Sequence, residues 1–207
     1  MLRVVDEAKK IGLNGVLLAE HGGGWTTNTL LEKFADTSLV VIPALEVTTD
    51  MGHIIAIGLE SHVSGIHKLK TLRKVVDEIG GVLIAAHPMR NFFNRPPYNT
   101  NLLYRDWKQP PKSPHEACEH DIFGLVDYLE VTNGANSDIE NQFTKEIANL
   151  IGMKGTGGSD SHSKQGIGKS LTVFDTPITD SKSLIAQLEN GVFYPAEGLN
   201  IASLRKF

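Results

Sequence analysis

The chain has 207 residues, 41% hydrophobic and 21% charged, with 20 Lys plus Arg against 24 Asp plus Glu for a formal net charge of −4. This is the composition of an ordinary globular domain, and a net acidic chain without a basic stripe argues against stable nucleic-acid binding by counterion release. One cysteine, Cys118, permits no internal disulfide and points to a reducing, cytoplasmic setting; no apolar run approaches the ~20 residues that cross a bilayer.

The chain opens in a helical pattern. Leu2, Val4, Val5, Ala8 and Ile11 recur at 3.6-residue spacing and Gly12 follows as a stop. Val16–Ala19 is a short apolar run ending in Glu20-His21-Gly22, and a second helix is predicted around Asn28–Asp36. Leu39–Val47 and His53–Leu59 read as strands, with Asp50-Met51-Gly52 as the hairpin turn between them. Leu69, Leu72, Val75, Val76 and Ile79 define a helix face stopped by Gly80-Gly81. Val82–Ala86 is a buried strand ending at His87-Pro88, and Tyr128–Val131 is another ending near Asn133-Gly134. Ser137 and Glu140 form a capping box for a helix expected to bury Ile139, Phe143, Ile147 and Leu150. Gly157-Gly158 reads as a glycine-rich turn, Leu171–Phe174 as a strand, and the last helix runs from near Asp180 to Gly191.

Strands alternating with helices imply parallel βα units in a single domain over 1–207. Residues 91–123 break the rhythm, with five prolines and no clear period. A loop that long is functional or disordered, and its position directly after His87-Pro88-Met89-Arg90 suggests a lid or a substrate wall. The basic cluster Lys68, Lys70, Arg73 and Lys74 reads as a solvated helix face.

The chemistry lies in where the histidines fall. His21, Glu46, His87 and the Asp160/His162 pair each close a predicted strand, and His53 opens the strand that returns from Glu46. In βα barrels such ends converge on one face. Imidazole nitrogens mixed with carboxylate oxygens suit Zn, Mn or Fe, and the lack of thiolates disfavours a structural zinc site. Such a cluster acidifies water and polarises a phosphoryl oxygen. Ser159 and Ser161 lack the G-x-S-x-G elbow of a serine hydrolase.

At these residues the chain resembles the PHP (polymerase and histidinol phosphatase) family of metal-dependent phosphoesterases. The matching strings are LLAEHG at His21, VIPALEVTTDMGHIIAIGL at Glu46 and His53, GGVLIAAHP at His87, and GTGGSDSHSKQGIGKSLTVF at Asp160 and His162. The resemblance implies an α/β fold, a distorted seven-stranded βα barrel. It implies metal ligation by His21, Glu46, His53, His87, Asp160 and His162, with Glu130 of LEVTNG a further ligand or a supporting group. Arg90 is expected to grip a substrate phosphate through its bidentate fork. The family begins with a strand carrying D-x-H-x-H, whereas no HxH string occurs in these residues and the chain opens on the helix that would follow it. The sequence therefore reads as an N-terminally truncated PHP domain holding fewer metals than the family's two or three. The expected activity is hydrolysis of a small phosphorylated substrate or nucleotide by a metal-activated water. A metal-dependent amidohydrolase and an inactive PHP remnant serving as a binding module are the rival readings.

Overall fold

The computed structural model describes residues 2–23 and 25–207; of Leu2 and Arg3 only the backbone is described, so Leu2's expected place on the first helix face, like Gly24, lies outside the described residues. Six strands form one open, curled sheet in chain order: β1 (Gly15–Glu20), β2 (Val40–Thr49), β3 (Gly52–Ile57), β4 (Val82–Ala85), β5 (Tyr128–Asn133) and β6 (Gly155–Gly158). β1 and β2, β4 and β5, and β5 and β6 pair in parallel. β3 runs antiparallel to both its neighbours because the Asp50–Gly52 turn sends the chain straight back along β2. A second, antiparallel sheet holds β7 (Ser170–Phe174), β8 (Phe193–Glu197) and β9 (Arg205–Lys206).

The protein is thus mixed α/β. The sheet has six strands among the described residues where a seven-stranded barrel was expected, and β1 and β6 each have one partner within it. Beyond β6 the chain pairs with itself in the second sheet instead of adding parallel strands. The two sheets meet through side chains: Gly157 N donates to Thr172 Oγ1 (2.9 Å), and Thr132 Oγ1 meets Ser170 Oγ (3.0 Å) and donates to Glu197 Oε1 (2.7 Å).

Alternation along the strands sorts the core into two layers. On one face Leu45, Val47, Ile54, Leu83, Leu129 and Val131 pack with Leu69, Leu72 and Val76 of α3 (Leu69–Glu78) and Ile147 and Ala148 of α5 (Asp138–Ile151). On the other, Ile42, Ala44, Ile57, Val82, Ile84 and Tyr128 pack with Leu184 and Leu188 of α6 (Ser181–Asn190). The helices α1 (Leu2–Ile11) and α2 (Thr27–Phe34) fall where the periodicity places them.

Four readings need correction. Ile139 and Leu150 of α5 are exposed; Ile147 is buried and Phe143 packs against the core as expected, but Glu140, Asn141, Thr144 and Ala148 complete the inward face, with Asn141 bonding the end of β5. Ile79 is exposed, since α3 ends at Glu78 before the periodic face reaches it. Gly157-Gly158 is strand β6, not a turn: a Cβ on Gly157 would strike the Leu171 carbonyl of the neighbouring strand. Arg73 is not part of a solvated face, for it binds Asp77 (2.6 Å) and Asp127 (2.7 Å), and Asp127 also accepts from Leu83 N at the start of β4.

Residues 91–123 fold onto the protein. Leu103, Tyr104, Ala117 and Ile122 enter the α3-side core, and α4 (Pro114–Ala117) is a single turn. His120 stacks on Trp107 with ring centroids 5.8 Å apart and bonds Leu103 O through Nε2. Among the described residues no helix is long and apolar enough to cross a membrane.

Candidate metal centre

The residues that face the α6 side of the sheet come up at its rim in alternation. On β2, Glu46 follows Ile42 and Ala44 at two-residue spacing; on β3, His53 shares a face with Ile55 and Ile57; on β5, Glu130 shares one with Tyr128. Glu46 therefore sits within β2, which continues to Thr49, and not at its end. The hairpin register sets Glu46 opposite Ile55 and Thr48 opposite His53, so the two side chains lean together along one face. His21 directly follows β1. His87 lies two residues past β4 in a left-handed conformation (φ 32°), which turns its ring back over the sheet edge.

Four expected ligands meet there. Glu46 Oε1 is 3.0 Å from His53 Nδ1 and 3.1 Å from His87 Nε2, and Glu46 Oε2 is 3.8 Å from His21 Nε2. The His21 and His53 ring centroids are 4.8 Å apart, and those of His53 and His87 5.2 Å. His21, Glu46 and His53 each offer a donor atom within 4.8 Å of the others. Burial works to raise the Glu46 pKa, but the surrounding imidazoles of His53, His87 and His21 outweigh it and hold the carboxyl well below the usual range. The cluster thus keeps its carboxylate ionised. Among the described residues the buried His53 Nδ1 is in hydrogen-bond geometry with no group, despite its closeness to Glu46. Three imidazoles, one of them with an orphaned buried nitrogen, and one carboxylate are the donor set a borderline divalent ion takes.

Asp160 and His162 stand differently. Asp160, also left-handed (φ 44°), aims Oδ2 at Arg90 Nη2, 2.5 Å away. His162 is 90% exposed, with Nδ1 3.3 Å from the Asp160 carbonyl. Arg90 further donates from Nη2 to Asn133 Oδ1 (2.7 Å) and from Nε to Asn136 Oδ1 (3.1 Å). These two asparagines were not singled out in the sequence; the only signal was Asn133 closing a strand before a glycine. They hold the guanidinium at the edge of the cluster with its plane fixed.

Glu130 joins the two groups. Its Oε2 accepts from His87 N (2.8 Å) and from Asn133 Nδ2 (2.9 Å), so one oxygen fixes the backbone of a candidate ligand and the holder of Arg90. A register shift between Glu130 and Thr132, a bulge, sets its direction. Burial, aided by the nearby Asp160 charge, raises its pKa above the ordinary 4.5 despite His87 and Asn133. A raised native pKa means the folded state holds this proton more tightly than the unfolded chain, so stability falls as pH rises from the ordinary value through the native one. Glu130→Gln, whose amide oxygen can accept both bonds, is expected to raise the melting temperature of the metal-free protein at neutral pH by about 2–4 °C per kcal/mol relieved. It is also expected to flatten the fall in melting temperature from acid to neutral solution; thermal melts across that range check both.

Residues 138–193, from α5 into β8, match the PHP_C family model, described as PHP-associated. No curated protein matches the chain. The fold is similar to the crystal structure of PsfC from Pseudomonas syringae PB-5123, with a TM-score of 0.59 at 18% identity over 89% of this chain and 78% of that one. It is also similar to a protein of Bifidobacterium adolescentis ATCC 15703 described as a "putative metal-dependent phosphoesterase", with a TM-score of 0.51 at 18% identity over 91% of this chain and 90% of that one.

Proposed function

We propose that this chain, whose residues 138–193 match a PHP-associated family model, is a metal-dependent phosphoesterase of the PHP family. The observation that carries the reading is the convergence of His21, His53 and His87 on the Glu46 carboxylate at one rim of the sheet. The description of the Bifidobacterium adolescentis protein, extended to this chain, supports it.

Glu46 and the three imidazoles would hold the ion, with Zn, Mn or Fe suited to the donor set. A divalent ion supplies Lewis acidity there, making water nucleophilic near neutral pH and offsetting charge on a phosphoryl group. The chain's own residues do the rest. Glu130 holds His87 in place through its backbone N–H. Asn133 and Asn136 orient Arg90, which stands beside the cluster to draw an anionic ester toward it. Asp160 balances the Arg90 charge while no ester is present. The outward His162 favours a smaller metal complement than the family's fullest centre.

The test is elemental analysis of the purified chain together with hydrolysis of p-nitrophenyl phosphate in the presence of Mn, before and after chelation. The reading requires bound metal and turnover that chelator abolishes and Mn restores. Turnover of amides or lactones but not phosphate esters would favour an amidohydrolase. Neither metal nor turnover would favour a binding module.

A further inference from the structure

Beside the cluster lies a cavity of about 260 Å³. His53, His87 and Arg90 line it, with apolar Leu102 and polar Asn91 and Thr100 from the 91–123 segment and Met51 from the hairpin turn. Among the described residues no Asp or Glu lines it. The segment is a fixed wall. Asn101, 8% exposed, donates to Pro88 O (2.8 Å) and Arg90 O (2.9 Å) and accepts from Tyr104 N (3.0 Å), tying the wall to the stretch that carries His87 and Arg90. Leu102 and Leu103 close on the turn at Gly52, the residue before His53.

We propose that this cavity selects the substrate of the phosphoesterase, and that it takes small phosphate monoesters with a short, uncharged, largely apolar leaving group and excludes nucleotides. The proposal rests on the phosphoesterase reading. The Arg90 guanidinium is placed to receive the phosphate, and Leu102 and Met51 offer apolar surface to the leaving group, with no carboxylate in the lining among the described residues. The volume falls just below the ~300 Å³ at which sites for drug-sized ligands begin, so a few carbons fill it. Leu102 and Met51, both half-buried, are the specificity-determining residues.

Calorimetric titration of the manganese-loaded full chain with inorganic phosphate, methylphosphonate, butylphosphonate and adenosine monophosphate tests it by binding alone. Butylphosphonate is expected to bind about tenfold more tightly than methylphosphonate, each added methylene gaining part of its transfer energy, and adenosine monophosphate more weakly than butylphosphonate. Leu102→Ala should reduce the butyl preference, and Leu102→Trp should abolish it. Met51→Trp, which alters the apolar lining from the hairpin turn, should act in the same direction should the loop variants fold poorly. Equal affinity for the two phosphonates, or tighter binding of the nucleotide, would overturn the specificity proposal while leaving the phosphoesterase reading intact. Failure of inorganic phosphate itself to bind would overturn that reading and this extension together.

Discussion

Glu46→Gln is expected to strip the chain of its divalent metal and to lower phosphate-ester hydrolysis by at least about 100-fold, since supporting residues alone are worth 10–100-fold at such sites. Among the described residues Glu46 is the only carboxylate in contact with all three clustered imidazoles. Without its charge a cation faces three neutral or positive rings, and Gln offers one weaker oxygen in place of two. The side chain is 12% exposed, so water cannot take its place freely. Elemental analysis after dialysis, paired with p-nitrophenyl phosphate turnover, reads the effect; an unchanged far-ultraviolet dichroism spectrum separates it from unfolding. His21→Ala should be milder, because His21 is 55% exposed and stands 3.8 Å from the carboxylate.

Gly158→Ala is expected to cost about 1–3 kcal/mol in stability, the usual range for overpacking, and to weaken metal binding as well. A Cβ at this position lands on Glu130 Oε1. The carboxylate has little room to retreat, because its other oxygen is bonded to His87 N and Asn133 Nδ2. Moving it releases the backbone of His87 and the holder of Arg90 together. Gly157→Ala meets the Leu171 backbone and should destabilise without acting on Glu130. Gly22→Ala, with nothing within 4 Å of its added carbon, is the neutral control. Urea midpoints and metal affinities of the three variants check the order.

The rim of the cluster was legible because strand ends and hairpins leave strong local signals. An apolar run stopping at His21, a turn at Asp50–Gly52 and a run stopping before His87 each follow from residues close in sequence. The capping box of α5 was legible for the same reason. What resisted reading was set by distant partners. The inward face of α5 is partly polar because Asn141 serves β5, so the apolar periodicity found Phe143 and Ile147 but also counted the exposed Ile139 and Leu150. β6 is made of glycine and threonine because a carbonyl of β7 and the Glu130 carboxylate press on it, and composition alone reads such a stretch as a turn. β8 and β9 carry no clean alternation and pair only within the second sheet. Asp160 and His162 were expected with the other ligands; in the structure Asp160 takes a left-handed backbone and pairs with Arg90 while His162 points outward, and neither feature is visible as a pattern.

The hairpin that carries Glu46 and His53 has a consequence for assembly. Its two arms are joined by a tight turn, so bringing this pair together closes a very short loop and sacrifices little chain entropy. Half of the cluster is therefore encoded in contacts of low sequence separation, which form early and cheaply. His21 and His87 come from the strands on either side, and the Arg90–Asp160 pairing closes a far longer stretch of polypeptide, at a larger loop-closure cost. The cation's first foothold is a local element, and the remainder of the molecule serves to complete it.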